Sequence, residues 1–266
     1  MQAESDIRWL HFVRSREFEA ALASFPADRA ARVLEIGSGT GFLLGRIRER
    51  YSDVVGLEVE GSAYQFSDPG ITLYDGRNIP FPENSFDVVF SSHVLEHVAE
   101  LAAFGEEISR VLKPGGVAVH IIPSPTWRVL TSLLHYFAVV KMAMSLFKRS
   151  GRGSIKVQSS RRTKAELVKF MMYAPRHGEI GNVLTEIYYF SRYRWRKVFA
   201  RSSLRLVAQR GIGFIYWGRD VFQFALPLPV RTMLASLIGA SSNLYVLRKG
   251  VKSGDVANGN PGPKNL

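Results

Sequence analysis

No cysteine occurs among the 266 residues, which excludes a disulfide framework, a thiolate metal site and cysteine nucleophilic catalysis. Lysine is missing from residues 1–107, where nine arginines face eighteen acids. Acids are then missing from Ile108 to Ala165, a stretch holding eleven bases. Residues 108–266 together carry twenty-six bases and five acids. An acidic half with its own task and a basic half that meets something anionic are therefore expected. The opening residues mix acids and bases through every turn, so they lack the pattern of a secretory signal, and a cytoplasmic chain is expected. What is present is enough apolar material, 46% of the chain against 22% charged, to bury a core and exclude wholesale disorder.

The first forty per cent alternates strand and helix signals. Arg32–Ile36, Asp53–Glu58, Ile71–Tyr74, Phe86–Phe90 and Val117–Ile122 read as strands, with helices over Gly41–Tyr51 and Ala99–Leu112. Lys113-Pro-Gly-Gly116 stops the second helix. Such alternation gives a parallel sheet covered on both faces. Later, Tyr193–Ala200 reads as a helix, and Arg205–Gly211 and Asn243–Arg248 as strands. The boundaries expected are an N-terminal helical segment over 1–29, a core over 30–123, an insertion over 124–190, the end of the core over 191–249 with an apolar insertion at 214–242, and a disordered tail over 250–266.

Glu35-Ile-Gly37-Ser-Gly39-Thr-Gly41 joins the first strand to the first helix. Glycines allow a tight turn and close approach of a ligand, and the helix start offers free N–H groups. A dinucleotide fingerprint places its third glycine five residues after the first; here the interval is four, and Glu35 would repel a pyrophosphate. The loop suits a ligand with a positive end.

With this loop, Gly56-Leu-Glu58, Asp75-Gly-Arg-Asn-Ile-Pro-Phe-Pro82 followed by Asn84-Ser-Phe-Asp87, Ser92-His-Val-Leu-Glu-His-Val98 and Arg110-Val-Leu-Lys-Pro-Gly-Gly116 occur in order. The chain in this respect resembles the class I S-adenosylmethionine-dependent methyltransferases, in the broad type 11 subgroup filed beside the ubiquinone and menaquinone methylases. The resemblance implies an α/β fold, doubly wound, with a mostly parallel seven-stranded sheet and helical or apolar insertions. It implies S-adenosylmethionine as cofactor, with Glu35 and the backbone of Gly37, Gly39 and Gly41 at its methionine and ribose, and Glu58 on the ribose hydroxyls. Asp75 and Gly76 would meet the adenine, and Ser91 and Ser92 the methionyl end. A non-catalytic scaffold keeping this fold is the rival reading, and the intact Glu58 and Asp75 speak against it.

Methyl transfer to a hydroxyl needs alignment and a base. His93 and His97 follow the fourth strand and, on a helix, would share a face; either is a candidate base. In the ubiquinone O-methylases this place resembles Glu-x-x-Glu-His, associated with a divalent cation. Here it is His93-x-x-Glu96-His97, which suits Mg²⁺ poorly, so no metal is assigned. Arg176-His177-Gly-Glu179, with Asn182 and Glu186, is a second cluster on a loop, and His177 is the third candidate base. His11, His120 and His135 read as structural.

Val129–Phe147 is nearly long enough to span a bilayer, but Lys141 near its middle argues against it. On a helical wheel Thr131, His135, Lys141 and Ser145 fall on one half, and Leu130, Leu133, Phe137, Val140 and Met144 on the other. That pattern suits either a lid over the site or a helix lying on an anionic membrane, aided by Arg128, Lys148, Arg149 and Arg152. RNA would account for the charge alone, and a membrane for charge and apolarity together, so nucleic acid is disfavoured. The activity expected is O-methylation of a small-molecule or lipid-linked acceptor, glycan or isoprenoid quinol in type, at the inner face of a membrane.

Overall fold

The computed structural model describes residues 2–62, 68–149, 174, 176–216 and 226–250. Parts of the expected 124–190 and 214–242 insertions and the tail after Gly250 lie outside the described residues.

Seven strands form one sheet in the order β3-β2-β1-β4-β5-β7-β6. They are β1 (Arg32–Ile36), β2 (Asp53–Val59), β3 (Ile71–Tyr74), β4 (Phe86–Ser92), β5 (Leu112–Pro123), β6 (Leu204–Gly211) and β7 (Ser242–Lys249). Neighbours from β3 through β5 pair in parallel, while β7 runs antiparallel to both β5 and β6. This is the expected doubly wound α/β architecture. Its short apolar strands are what burial on both faces demands.

Helices α1 (Gln2–Leu22), α2 (Phe42–Arg48), α3 (Leu101–Val111), α4 (Pro125–Arg149), α5 (Thr185–Tyr189), α6 (Arg192–Phe199) and α7 (Leu228–Ile238) complete the described elements. Two apolar clusters cover the sheet. On one face Trp9, Val13, Phe18 and Ala21 of α1 pack with Val33, Phe90 and Tyr216. On the other, Phe104 and Ile108 of α3 and Trp195 and Phe199 of α6 pack with Leu34, Leu57 and Tyr245.

Two expectations are corrected. Lys113–Gly116 does not stand between helix and strand but lies inside β5, whose pairing with β4 shifts register between Phe86 and Val88. His93 and His97 do not share a helix: after β4 the chain makes only a single 3₁₀ turn, Leu95–His97. Both nevertheless line the same cleft, with His93 in a left-handed backbone (φ 57°) just before the turn.

Strand order reverses between β1 and β4, and their carboxyl ends splay the following loops apart. Open α/β sheets bind ligands at such a point.

Candidate active site

A cleft of about 550 Å³ opens at this switch point, lined by residues from the loops after β1, β2 and β4, by α1, and by His177. The glycine loop forms one wall. Gly37, Gly39 and Gly41 all have positive φ (77°, 49° and 73°), and a Cβ at Gly37 would collide with the Val94 side chain. Gly37 and Ser38 donate their N–H groups to Leu57 O at 2.8 and 3.2 Å. Glu58, at the end of β2, accepts the Gly39 N–H at 2.6 Å and so braces the loop against the sheet.

Glu35 is 2% exposed, and its Oε2 has no hydrogen-bond partner. Burial pushes its pKa up to about 8; Ser38 opposes this and the Glu58 charge adds to it. A buried carboxyl without a partner is costly unless a cation meets it. Arg14 of α1 also lines the cleft and donates to Glu17 Oε2 at 2.7 Å and Ser92 Oγ at 3.2 Å. The cleft thus offers an anion and a cation, the pair that an amino-acid zwitterion requires. The donor set therefore fits the methionyl part of S-adenosylmethionine.

Ser91 and Ser92 alternate across the strand. Ser92 lines the cleft, whereas Ser91 turns away and pairs with His120 Nδ1 at 2.7 Å. Burial holds His120 down to about 3, so it stays neutral, as a structural residue should. Asp75 is exposed, and its carboxylate accepts from Arg77 N, Asn78 N and Asn78 Nδ2 at 2.7–2.8 Å. It braces the turn containing Gly76 (φ 79°), while Tyr74 and Val59 supply the cleft wall beside it.

The opposite wall is a buried polar network. His93 Nε2 lies 2.8 Å from Glu17 Oε1 and 3.2 Å from the Tyr216 hydroxyl. Tyr216 in turn pairs with Ser242 Oγ at 2.6 Å. Glu96 lies under the cleft, its Oε1 3.5 Å from His93 Nδ1 and 3.6 Å from His177 Nε2. Burial opposes ionisation of Glu17, yet His93 and Arg14 hold it at about 2. Burial likewise opposes ionisation of Glu96, but His177 and His93 keep it well below the carboxylate range. Burial and Arg14 press His93 toward neutrality; Glu17 and Glu96 outweigh them and raise its pKa. His97 lines the cleft 5.2 Å from the His177 ring, centroid to centroid, and burial lowers its pKa.

All three histidines singled out by sequence therefore meet at one wall. His177 arrives because the buried Glu186 of α5 accepts the His177 and Gly178 N–H groups at 2.7 and 2.8 Å. Glu186 also faces Arg128 of α4 at 3.2 Å. Glu179 stays exposed, and Asn182 caps the start of α5 through Leu184 and Thr185. Sequence reasoning misses Arg14, Glu17 and Tyr216, which nothing local marks as site residues. It also sets His11 aside, yet His11 stacks on Phe42 at the cleft wall (3.8 Å, 4°).

Residues 34–120 match the family model described as a methyltransferase domain. An uncharacterized methyltransferase of Mycobacterium sp. (strain KMS) is 32% identical over 143 residues, covering 50% of this chain and 56% of its own. A ubiquinone biosynthesis O-methyltransferase of Rhodopseudomonas palustris (strain TIE-1) is 27% identical over 130 residues, covering 45% and 51%. The chain spans about half the length of these curated relatives. The crystal structure of an S-adenosylmethionine-dependent methyltransferase from Mesorhizobium loti shares the fold at 19% identity, with a TM-score of 0.52 over 88% of this chain and 98% of that one. The matched family model identifies residues 34–120 as a methyltransferase domain, and the sheet that carries them has the fold of an S-adenosylmethionine-dependent methyltransferase.

Proposed function

We propose that the protein transfers a methyl group from S-adenosylmethionine to a hydroxyl of a lipophilic or lipid-linked acceptor. The observation that carries this reading is a single cleft with the glycine loop, Glu35 and Glu58 on one side and three histidines on the other. Glu35 and Arg14 would hold the two charges of the methionine moiety, the backbone of Gly37 and Gly39 would pack along it, Gly41 starts α2, and Glu58 would take the ribose hydroxyls. When bound, the cofactor supplies a methyl group already activated on a sulfonium. The chain has two tasks: to hold the acceptor oxygen in line, and to remove its proton as the new bond forms. His97, lining the cleft beside His177, is placed to take that proton.

The lipophilic acceptor is supported by α4. Its first turn carries Trp127, whose ring packs on His177 at 4.7 Å. Further along, Leu133, Phe137, Val140 and Met144 are 56–61% exposed, so these four apolar side chains point away from the core. A helix that covers a core does the reverse. Among the described residues no helix is long and apolar enough to cross a membrane. An apolar stripe, in a stretch of eleven bases without an acid, suits the surface of an anionic bilayer. The likeness to a ubiquinone biosynthesis O-methyltransferase supports the same acceptor class.

The test is incorporation of label from methyl-labelled S-adenosylmethionine into fractionated cell extract. Label in hydroxylated lipids or lipid-linked glycans is expected. Label confined to RNA or to water-soluble metabolites would overturn the acceptor class, and failure to bind S-adenosylhomocysteine would overturn the methyl transfer itself.

A further inference from the structure

The geometry points to a divalent transition-metal site built from His93 Nδ1, Glu96 and His177 Nε2 at the acceptor wall of the cleft. The three ligand atoms lie within 4.8 Å of one another. Both oxygens of Glu96, whose side chain is 1% exposed, have no hydrogen-bond partner, and neither has His177 Nε2. Buried polar atoms are almost always satisfied, and three orphaned atoms converging on one point call for a species that satisfies them together. A proton does so poorly: the spacings of 3.5 and 3.6 Å between Glu96 Oε1 and the two imidazole nitrogens are long for hydrogen bonds. They suit ligands of a common ion. Four bonds of about 2.0–2.1 Å in a tetrahedron set neighbouring ligand atoms about 3.3 Å apart.

The supporting contacts are those of a metal-binding histidine. His93 gives its Nε2 to the Glu17 carboxylate at 2.8 Å, which leaves Nδ1 free to ligate and fixes the ring's orientation. Glu17 is fully buried and held in turn by Arg14. The left-handed backbone of His93 aims its ring inward, and His177 is fixed through the Glu186 bonds to its own and the next backbone N–H. Two imidazoles with one carboxylate form a borderline donor set that prefers Zn²⁺ or a neighbouring first-row ion over Mg²⁺. Because His93 and His177 both line the cleft, the remaining coordination position faces the acceptor, where an oxygen would bind. Sequence spacing groups only His93, Glu96 and His97; the third ligand comes instead from a distant loop. The ion site goes beyond the proposed methyl transfer, although the two share one cleft.

The experiment uses tag-free full-length protein, stripped with chelator and titrated with Zn²⁺ by calorimetry and with Co²⁺ by visible absorption. Saturation at one ion per chain is expected, together with the intense d–d bands of a low-coordinate Co²⁺ site. His177→Ala and Glu96→Gln, checked for folding by circular dichroism, should each weaken Zn²⁺ by more than about 100-fold, and Glu17→Gln by about 10–100-fold through His93. No stoichiometric binding by the parent chain would overturn the site. So would undiminished binding by folded His177→Ala. Should His177→Ala unfold, the Co²⁺ spectrum of the parent decides alone: weak octahedral bands of an aqua type overturn the site. S-adenosylhomocysteine binding, measured on the metal-free parent, reports on the methyltransferase reading independently.

Discussion

The Glu186 carboxylate accepts the backbone N–H of His177 at 2.7 Å, from inside the protein and with no exposure of its own. A helix N-terminal to the sheet's last strands thereby determines where a cleft histidine stands. Arg128, 1% exposed, faces the same carboxylate, so α4, α5 and the 176–178 loop form one charged knot.

Glu186→Gln would keep an acceptor but remove the charge facing Arg128. Breaking a buried pair from one side costs about 3–5 kcal/mol. The variant should melt well below the parent in a thermal scan, and adding Arg128→Met should recover part of the loss. Additive losses in the double variant would count against a coupled pair.

If Glu35 meets the ammonium of the cofactor, binding should depend on pH. Its pKa is raised from 4.5 to about 8 in the folded chain, so the ligand-free protein should lose stability as pH rises through that interval, because the unfolded chain gives up its proton first. A bound ammonium favours the carboxylate. Binding of S-adenosylhomocysteine at pH 6–7 should therefore release about one proton, seen as a calorimetric heat that scales with buffer ionisation enthalpy. Glu35→Gln should abolish the release.

Glu58 holds the Gly39 N–H at 2.6 Å, and in the proposed reading it also takes the ribose hydroxyls. Glu58→Ala should weaken S-adenosylhomocysteine by about 1.5–3 kcal/mol, the scale of hydrogen bonds to a charged group. Unchanged affinity in calorimetry would remove Glu58 from the cofactor site.

If His97 takes the acceptor proton, His97→Ala should cut methyl incorporation about 10²–10⁴-fold while S-adenosylhomocysteine binds as before. A dispensable His97 with an equal loss in His177→Ala would move the base to the later loop.

The α4 stripe should bring the protein to anionic vesicles in a flotation assay, with weaker recovery on neutral ones and at high salt. Each base near such a surface contributes about 1 kcal/mol, so Lys148→Glu with Arg149→Glu should lower binding by at least about tenfold. Leu133→Glu with Phe137→Glu should lower it as well. Failure to float on anionic vesicles at low salt would make α4 a cover for the cleft.

The alternation of short apolar strands with amphipathic helices specifies the doubly wound sheet, since burial on both faces leaves such a chain few alternatives. The glycine loop, with an acid before its first glycine, marks the ligand end, because a run of glycines and the positive φ it permits are local properties of the chain. The other wall is legible in the amino-acid sequence only in fragments. His93, Glu96 and His177 each carry ordinary sequence neighbours, and Glu17 and Arg14 sit in a helix whose pattern does not set them apart. Their meeting depends on long-range packing: α1 lying against β4, the left-handed turn at His93, and Glu186 holding the 177 loop from behind. Ser91 and Ser92 show the same limit, since only the pairing register of β4 decides which of two adjacent serines faces the cleft. Residue type and spacing determined the fold and the cofactor loop; the tertiary structure alone decided which charged side chains are buried together, because desolvation gives them their chemistry and sequence neighbours do not reveal it.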